Sequence, residues 1–326
     1  MAHKSLPVAF LSGIFLTASL LISFNSGAQI NSQTKNSEAG ATQVTEASDT
    51  NLLKNYLEQY YKSITQPLPP VPVIKKNPYK KAKSPRQQNA SVLAKTPKLV
   101  IIIDDIGNNK EMDLKAAGLP GAVTLAILPH TPHSQTIATL AFKNKKEIIL
   151  HAPMESIEDK NLGKGGLTEA MTEEEFTRTL QNDIDSIPHL VGLSNHMGSL
   201  LTQNENAMSW LMASLTKNNL FFVDSRTTAA SVASDLASKH NIEHVSRDVF
   251  LDHEANTEYT DKAFKKALRI SKKTGFAVAI GHPYPTTLSY LETHLGKLEQ
   301  EGVQLIPVSE LLKFQKGPQE KTLPEK

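Results

Sequence analysis

From residue 98 onward, short apolar runs alternate with stretches of helical character, and few architectures accept that alternation. The runs fall at 99–103, 122–128, 147–150, 190–193, 220–223, 249–251, 276–280 and 303–307. Helical patterning lies between them at 172–187, 203–217, 261–274 and 287–300, and the first of these opens on a capping box, Thr172 with Glu175. Strands separated by helices pair in parallel. Seven or eight such units predict an α/β fold, a distorted or open β/α barrel, with an open doubly wound sheet as the alternative.

Composition narrows the chemistry. The chain has 326 residues, a formal net charge of +2 and no cysteine. Disulfides, iron–sulfur clusters, Cys-ligated zinc and thiol nucleophiles are therefore excluded, and any metal must be held by His, Asp or Glu. Near-neutral charge gives no reason to expect nucleic acid as a partner, with the Lys-rich stretch 75–86 a local exception.

Ahead of the barrel the chain is organised differently. His3 and Lys4 precede an apolar run at 6–24 and then Ser26-Gly27-Ala28, the pattern of an export signal cleaved after Ala28. The run also approaches spanning length, so an uncleaved inner-membrane anchor is the alternative, and only that reading gives the protein a membrane contact. Either one places the remainder in the periplasm or exported cell envelope. A polar tether is expected over 29–49, then an amphipathic helix over 50–64 that packs on the main domain or on an envelope protein partner. A Pro- and Lys-rich linker continues to residue 96, the folded domain is expected over 97–316, and 317–326 is read as a disordered tail.

The chemistry-bearing residues cluster immediately after the apolar runs. Asp104-Asp105 follow the first, His151 and Glu155 the third, Asn195-His196 and Ser199 the fourth, Asp224 the fifth, Asp252 the sixth and His282 the seventh. In a parallel barrel all these strand ends lie on one face, so residues spread over the whole domain converge on one pocket. Helix capping explains an Asp or Ser at such a place, but not His at three of them.

Adjacent carboxylates at a strand end point in different directions, so one of Asp104 and Asp105 can bind a metal while the other accepts a proton; an N-cap followed by a first-turn acid is the bland alternative. His151 and His196 are candidate ligands, and two imidazoles with one carboxylate leave open positions for water and substrate. Glu155 reads as a fourth ligand, an orienting acceptor or a solvated loop acid. His282, between Gly281 and Pro283, is placed to protonate a leaving amine or to serve structure alone. His130 and His133 have ligand spacing but sit in a polar loop, where a surface role is the simpler reading. Asp224, Arg247, Asp248 and Asp252 are expected to form a carboxylate–guanidinium network orienting the site, or structural ion pairs.

The ordered series Ile-Ile-Ile-Asp104-Asp105-Ile-Gly, Leu-His151-Ala-Pro-Met-Glu155, Asn195-His196-Met-Gly-Ser199, Asp224-Ser225, Arg247-Asp248-Val-Phe-Leu-Asp252 and Ala-Ile-Gly281-His282-Pro283 resembles the divergent polysaccharide deacetylase family over roughly residues 97–312. That family is related to NodB-like carbohydrate esterases, distorted β/α barrels that use a divalent metal to remove acetyl groups from N-acetylated sugars. The resemblance implies Asp104 as general base and Asp105 as a metal-binding acid. His151 falls where NodB-like proteins carry the first His of a His-x-x-x-His pair, but the residue four positions later is Glu155. His196, from the next strand, is expected to supply the missing ligand.

The expected activity is thus metal-dependent removal of acetyl groups from an envelope or imported polysaccharide or oligosaccharide. Asp105, His151 and His196 would hold one divalent metal, zinc first and cobalt, nickel or iron as substitutes, with Asp104 as base and His282 as acid. A non-catalytic envelope protein that uses the barrel to bind glycan or a protein partner is the alternative. Phosphoester hydrolysis ranks last, because no Arg and Lys cluster marks the strand ends.

Overall fold

The computed structural model describes residues 96–158 and 160–316. The leader, the tether, the helix over 50–64, the Pro- and Lys-rich linker and the C-terminal tail lie outside the described residues. Nine strands form one parallel sheet: β1 Lys98–Ile106, β2 Thr124–Ile127, β3 Glu147–Met154, β4 Gly192–Met197, β5 Phe221–Asp224, β6 His244–Ser246, β7 Val249–Phe250, β8 Phe276–Gly281 and β9 Gln304–Leu305. Eight of them run in the order β6-β5-β4-β3-β2-β1-β8-β7, and β9 pairs with the first residues of β1.

That order forces curvature. A flat sheet of eight strands would hold its edges about 34 Å apart. Yet β6 and β7 are separated only by Arg247 and Asp248, three Cα steps or about 11 Å at most. The sheet therefore curls until its edges nearly meet, and the two linking residues span the seam: Arg247 N–H donates to Asp224 O at 3.0 Å and Asp248 N–H to Val278 O at 2.8 Å. The result is the open β/α barrel expected from the alternation.

Both faces of the sheet are buried, as a parallel sheet requires. Val100 and Ile102 of β1, Ile149 of β3, Phe221 and Val223 of β5 and Val278 and Ile280 of β8 fill the inside of the barrel. Leu99, Ile101 and Ile103 face outward against the helices. The helices are α1 Lys110–Gly118, α2 Ser134–Lys143, α3 Glu173–Asp185, α4 Glu205–Asn218, α5 Ala233–Lys239, α6 Thr257–Thr274, α7 Pro285–His294 and α8 Val308–Gln315. The capping box of α3 forms as the sequence indicates. Helix α6 begins four residues before the expected 261 because Asn256 caps it by accepting from Tyr259 N–H. Among the described residues no helix is long and apolar enough to cross a membrane.

The floor of the barrel is closed by α8, whose Val308, Leu311 and Leu312 join the inner core. No side chain of its own segment caps this helix. Glu147, at the start of β3, does so instead, accepting from Val308 N–H at 2.8 Å and Ser309 N–H at 3.1 Å. A carboxylate against a helix N-terminus also complements its dipole.

Asp113 in α1 is fully buried, with one oxygen accepting from Gly107 N–H at 3.0 Å and the other unpartnered. Burial pushes its carboxyl from the ordinary 3.8 up to about 6. The folded chain therefore holds this proton more tightly than the unfolded chain, so stability declines as pH rises between those values. Asp113→Asn keeps the acceptor and removes the charge. It is expected to stabilise the fold by about 1 to 3 kcal/mol at pH 7.5 and to give no gain at pH 4. Urea denaturation at both pH values checks this, and an equal change at both would contradict it.

Candidate metal centre

Strand parity builds the site. Along β1 the inward side chains are Val100, Ile102 and then Asp104, so the alternation that fills the barrel carries a carboxylate to its upper rim. The same parity turns His151 inward from β3, Ser194 and His196 from β4, and His282 from just beyond β8. Alternation would turn Asp105 outward. It does not, because Asp105 takes a left-handed conformation, φ 60°, where the register with β2 shifts between Ile103 and Ile106. A non-glycine residue seldom adopts such a backbone, and such strain collects at functional sites.

Asp105 Oδ1 lies 2.8 Å from His196 Nδ1 and 3.2 Å from His151 Nε2. One ligand atom from each of these three residues can be chosen so that all lie within 4.8 Å of one another. Despite the short distances Asp105 Oδ1 is buried without an aligned hydrogen bond. Two imidazole nitrogens and a carboxylate oxygen gathered this closely are a donor set that a divalent cation accepts, so the residues present fit a divalent metal. His151 is fixed from behind, its Nδ1 2.8 Å from Ser194 Oγ, which directs Nε2 to the site. Burial pushes the Asp105 carboxyl up, but the His151 and His196 rings beside it prevail and hold it well below the usual carboxylate range.

Two further groups flank the cluster. Asp104 is 2% exposed, its Oδ2 is 3.5 Å from His151 Nε2, and its Oδ1 has no hydrogen-bond partner. Burial pushes its carboxyl up, with the charge of Asp105 adding to the rise and His151 and His282 opposing it. On the far side His282 is clamped by Asp252, which receives its backbone N–H at 2.6 Å, faces its Nδ1 at 2.9 Å and also accepts from Thr287 Oγ1 at 2.8 Å. This leaves His282 Nε2 4.0 Å from Asp105 Oδ2. Burial alone would lower the imidazole, but Asp252, with the charges of Asp104 and Asp105, raises it to about 9.

The other expected site residues take different positions. Glu155 does not join the ligand group: its Oε2 accepts from Glu169 N–H at 2.7 Å, which ties the following loop to the end of β3. Ser199 Oγ accepts from Ile157 N–H, and Asn195 braces β4 to β5 by accepting from Ser225 N–H and donating to Met197 O. The expected carboxylate–guanidinium network does not form. Arg247 donates to the carbonyls of Ser225 and Arg226 and lies 3.7 Å over the Phe250 ring. Asp224 accepts from Arg226 N–H, Ser231 and Ser234, and Asp248 from Val278 N–H. Asp248 thus satisfies a strand-edge N–H at the seam, and Asp224 satisfies donors of the loop and helix that follow β5.

Fold and cluster together define a class, a parallel β/α barrel with a candidate His₂–Asp metal site at the strand ends. Residues 101–312 match the family model described as divergent polysaccharide deacetylase, and the chain belongs to that family. It is 33% identical over 215 residues to the uncharacterized protein YibQ of Escherichia coli K12, covering 66% of this chain and 67% of that one. An uncharacterized protein of Haemophilus influenzae is 31% identical over 219 residues, 67% of this chain and 78% of its own. The crystal structure of an uncharacterized protein from Agrobacterium tumefaciens C58 superposes with a TM-score of 0.65 at 20% identity, covering 72% of this chain and 92% of that chain. At that identity the likeness is one of fold.

Proposed function

We propose that the chain is a metal-dependent hydrolase that removes acetyl groups from an N-acetylated polysaccharide of the cell envelope. The observation that carries this reading is the clustering of Asp105, His151 and His196, with ligand atoms within 4.8 Å of one another, between an unpartnered carboxylate and a clamped imidazole. The family description supports the substrate class, and the leader pattern supports the compartment. Two imidazoles and one carboxylate suit zinc, with cobalt, nickel or iron as alternatives. A cation held there, when bound, polarises the acetyl carbonyl and makes water a stronger nucleophile.

Asp104 Oδ1, free of other partners, takes the proton as water adds to the carbonyl carbon. Burial, with the charge of Asp105, raises this carboxyl, which favours proton uptake there. The C–N bond then breaks, and His282, whose imidazole Asp252 holds toward its protonated form, gives the Nε2 proton to the departing amine. Acetate and a free amino sugar result, with the proton taken by Asp104 balancing the one given by His282.

The test is acetate release from N-acetylglucosamine oligomers by the zinc-loaded chain, before and after chelation. Release that stops on chelation and returns with zinc is expected. Tight binding of the same oligomers, unaffected by chelation and without acetate, would replace hydrolysis by glycan recognition.

A further inference from the structure

A second histidine–aspartate pair lies beside the metal centre, and the reaction outlined above makes no use of it. His130 Nε2 is 2.9 Å from Asp183 Oδ1 of α3, across 53 positions of sequence. The Asp183 side chain is fully buried, and its Oδ2 has no partner. Burying a carboxylate with one partner is costly, and here it pushes the carboxyl up to about 8. The surroundings are shaped to keep it. Gly165, at φ +81°, passes so close that a Cβ there would stand 2.1 Å from Asp183 Oδ1.

His130 is itself strained, at φ 55° between Pro129 and Thr131-Pro132. Its loop is pinned from two sides: Thr131 Oγ1 donates to Leu128 O at 3.1 Å, and His133 N–H donates to Gly107 O at 3.0 Å. A Cβ on Gly107 would meet Thr131 Oγ1 at 2.1 Å, so the approach depends on glycine. The imidazole is thus held on a rigid loop, about a third exposed, with Nδ1 unpartnered among the described residues. A merely solvated histidine needs none of this.

His130 lines a groove of about 420 Å³ that His196 also lines, so the pair and the metal centre open onto the same space. Its walls combine the apolar rings of Pro129 and Pro132 and the side chain of Leu162 with the polar groups of Asn161 and Lys164. Such a mixture suits a pyranose, whose C–H face packs on apolar surface while its hydroxyls bond at the edges. We infer that this groove is a saccharide subsite next to the metal centre, and that His130, positioned by Asp183, is the residue that binds a sugar hydroxyl there. The inference rests on the deacetylase reading for the kind of ligand, but not for the act of hydrolysis.

The test follows the imidazole resonances of His130 by NMR as the zinc-loaded full chain is titrated with the N-acetylglucosamine tetramer and with the glucosamine tetramer, which has no acetyl group. Both are expected to shift them. His130→Ala is expected to weaken tetramer binding about 5- to 10-fold, the range of one hydrogen bond, and to raise KM by more than it lowers kcat. Asp183→Asn copies the shape of the neutral acid, so it is expected to fold as the parent does and to weaken binding in the same direction. Shifted His130 resonances without acetate release would keep the subsite and overturn the hydrolysis reading. Acetate release with unmoved resonances and unchanged KM in both variants would overturn the subsite and leave the pair as a brace between loop and helix. Neither shift nor release would overturn both.

Discussion

Asp104→Asn is expected to cut acetate release by about 10²- to 10⁴-fold, or roughly 3 to 5 kcal/mol of transition-state stabilisation, while leaving metal content and thermal melting at the parent values. The expectation comes from the different surroundings of two neighbouring carboxylates. Asp104 faces the site with Oδ1 unpartnered and stands nearest to one ring nitrogen at 3.5 Å, whereas Asp105 has ring nitrogens at 2.8 and 3.2 Å. An amide at 104 has the same shape and removes a charge that burial already disfavours, so the fold loses little. It cannot take a proton from water. Asp105→Asn is expected instead to weaken metal binding, because a neutral amide replaces the one carboxylate of the ligand group. Metal content, melting and turnover measured on the same preparations separate the two. Equal loss of metal in both variants would make the carboxylates a joint ligand and remove Asp104 from its role as base.

Much of this site was legible in the sequence, for a reason of periodicity. Alternation along β1 fixes Val100 and Ile102 as inward residues, and Asp104 follows them by counting in twos. His151, His196 and His282 obey the same rule on β3, β4 and after β8, although His151 and His196 lie within their strands and not beyond them. The inward turn of Asp105 was not legible, since it depends on a left-handed non-glycine residue that no local pattern marks. Strand β6 was missed because three residues, His244–Ser246, carry a single buried apolar side chain.

Partnerships across long separations were the other gap. Arg247 among acids suggested ion pairs, but Asp248 meets the backbone N–H of Val278 across the seam, a donor brought to it only once the sheet has curled, and Asp224 meets hydroxyls of its own following segment. Likewise nothing near His130 in sequence announces Asp183, which approaches it only because α3 packs beside the loop. The spacing that made His130 and His133 look like possible ligands marks their loop but not the contact of His130 with Asp183. That contact is tertiary, and spacing does not encode it.

The second large effect concerns His196, the proposed second imidazole of the cluster. With Glu155 turned away to Glu169 N–H, the cluster relies on His196 for its second imidazole. Losing a hydrogen-bond partner of a ligand costs about 10- to 100-fold in metal affinity, and losing the ligand itself should cost more. His196→Ala removes a side chain at the rim that is 16% exposed, outside the two apolar cores, so the barrel should tolerate it. The direct measurement is elemental analysis of the parent and His196→Ala chains after equal zinc loading and dialysis. About one zinc per parent chain and none in the variant is the expected result; stoichiometric zinc in His196→Ala, or none in the parent, would contradict the metal centre assigned to Asp105, His151 and His196.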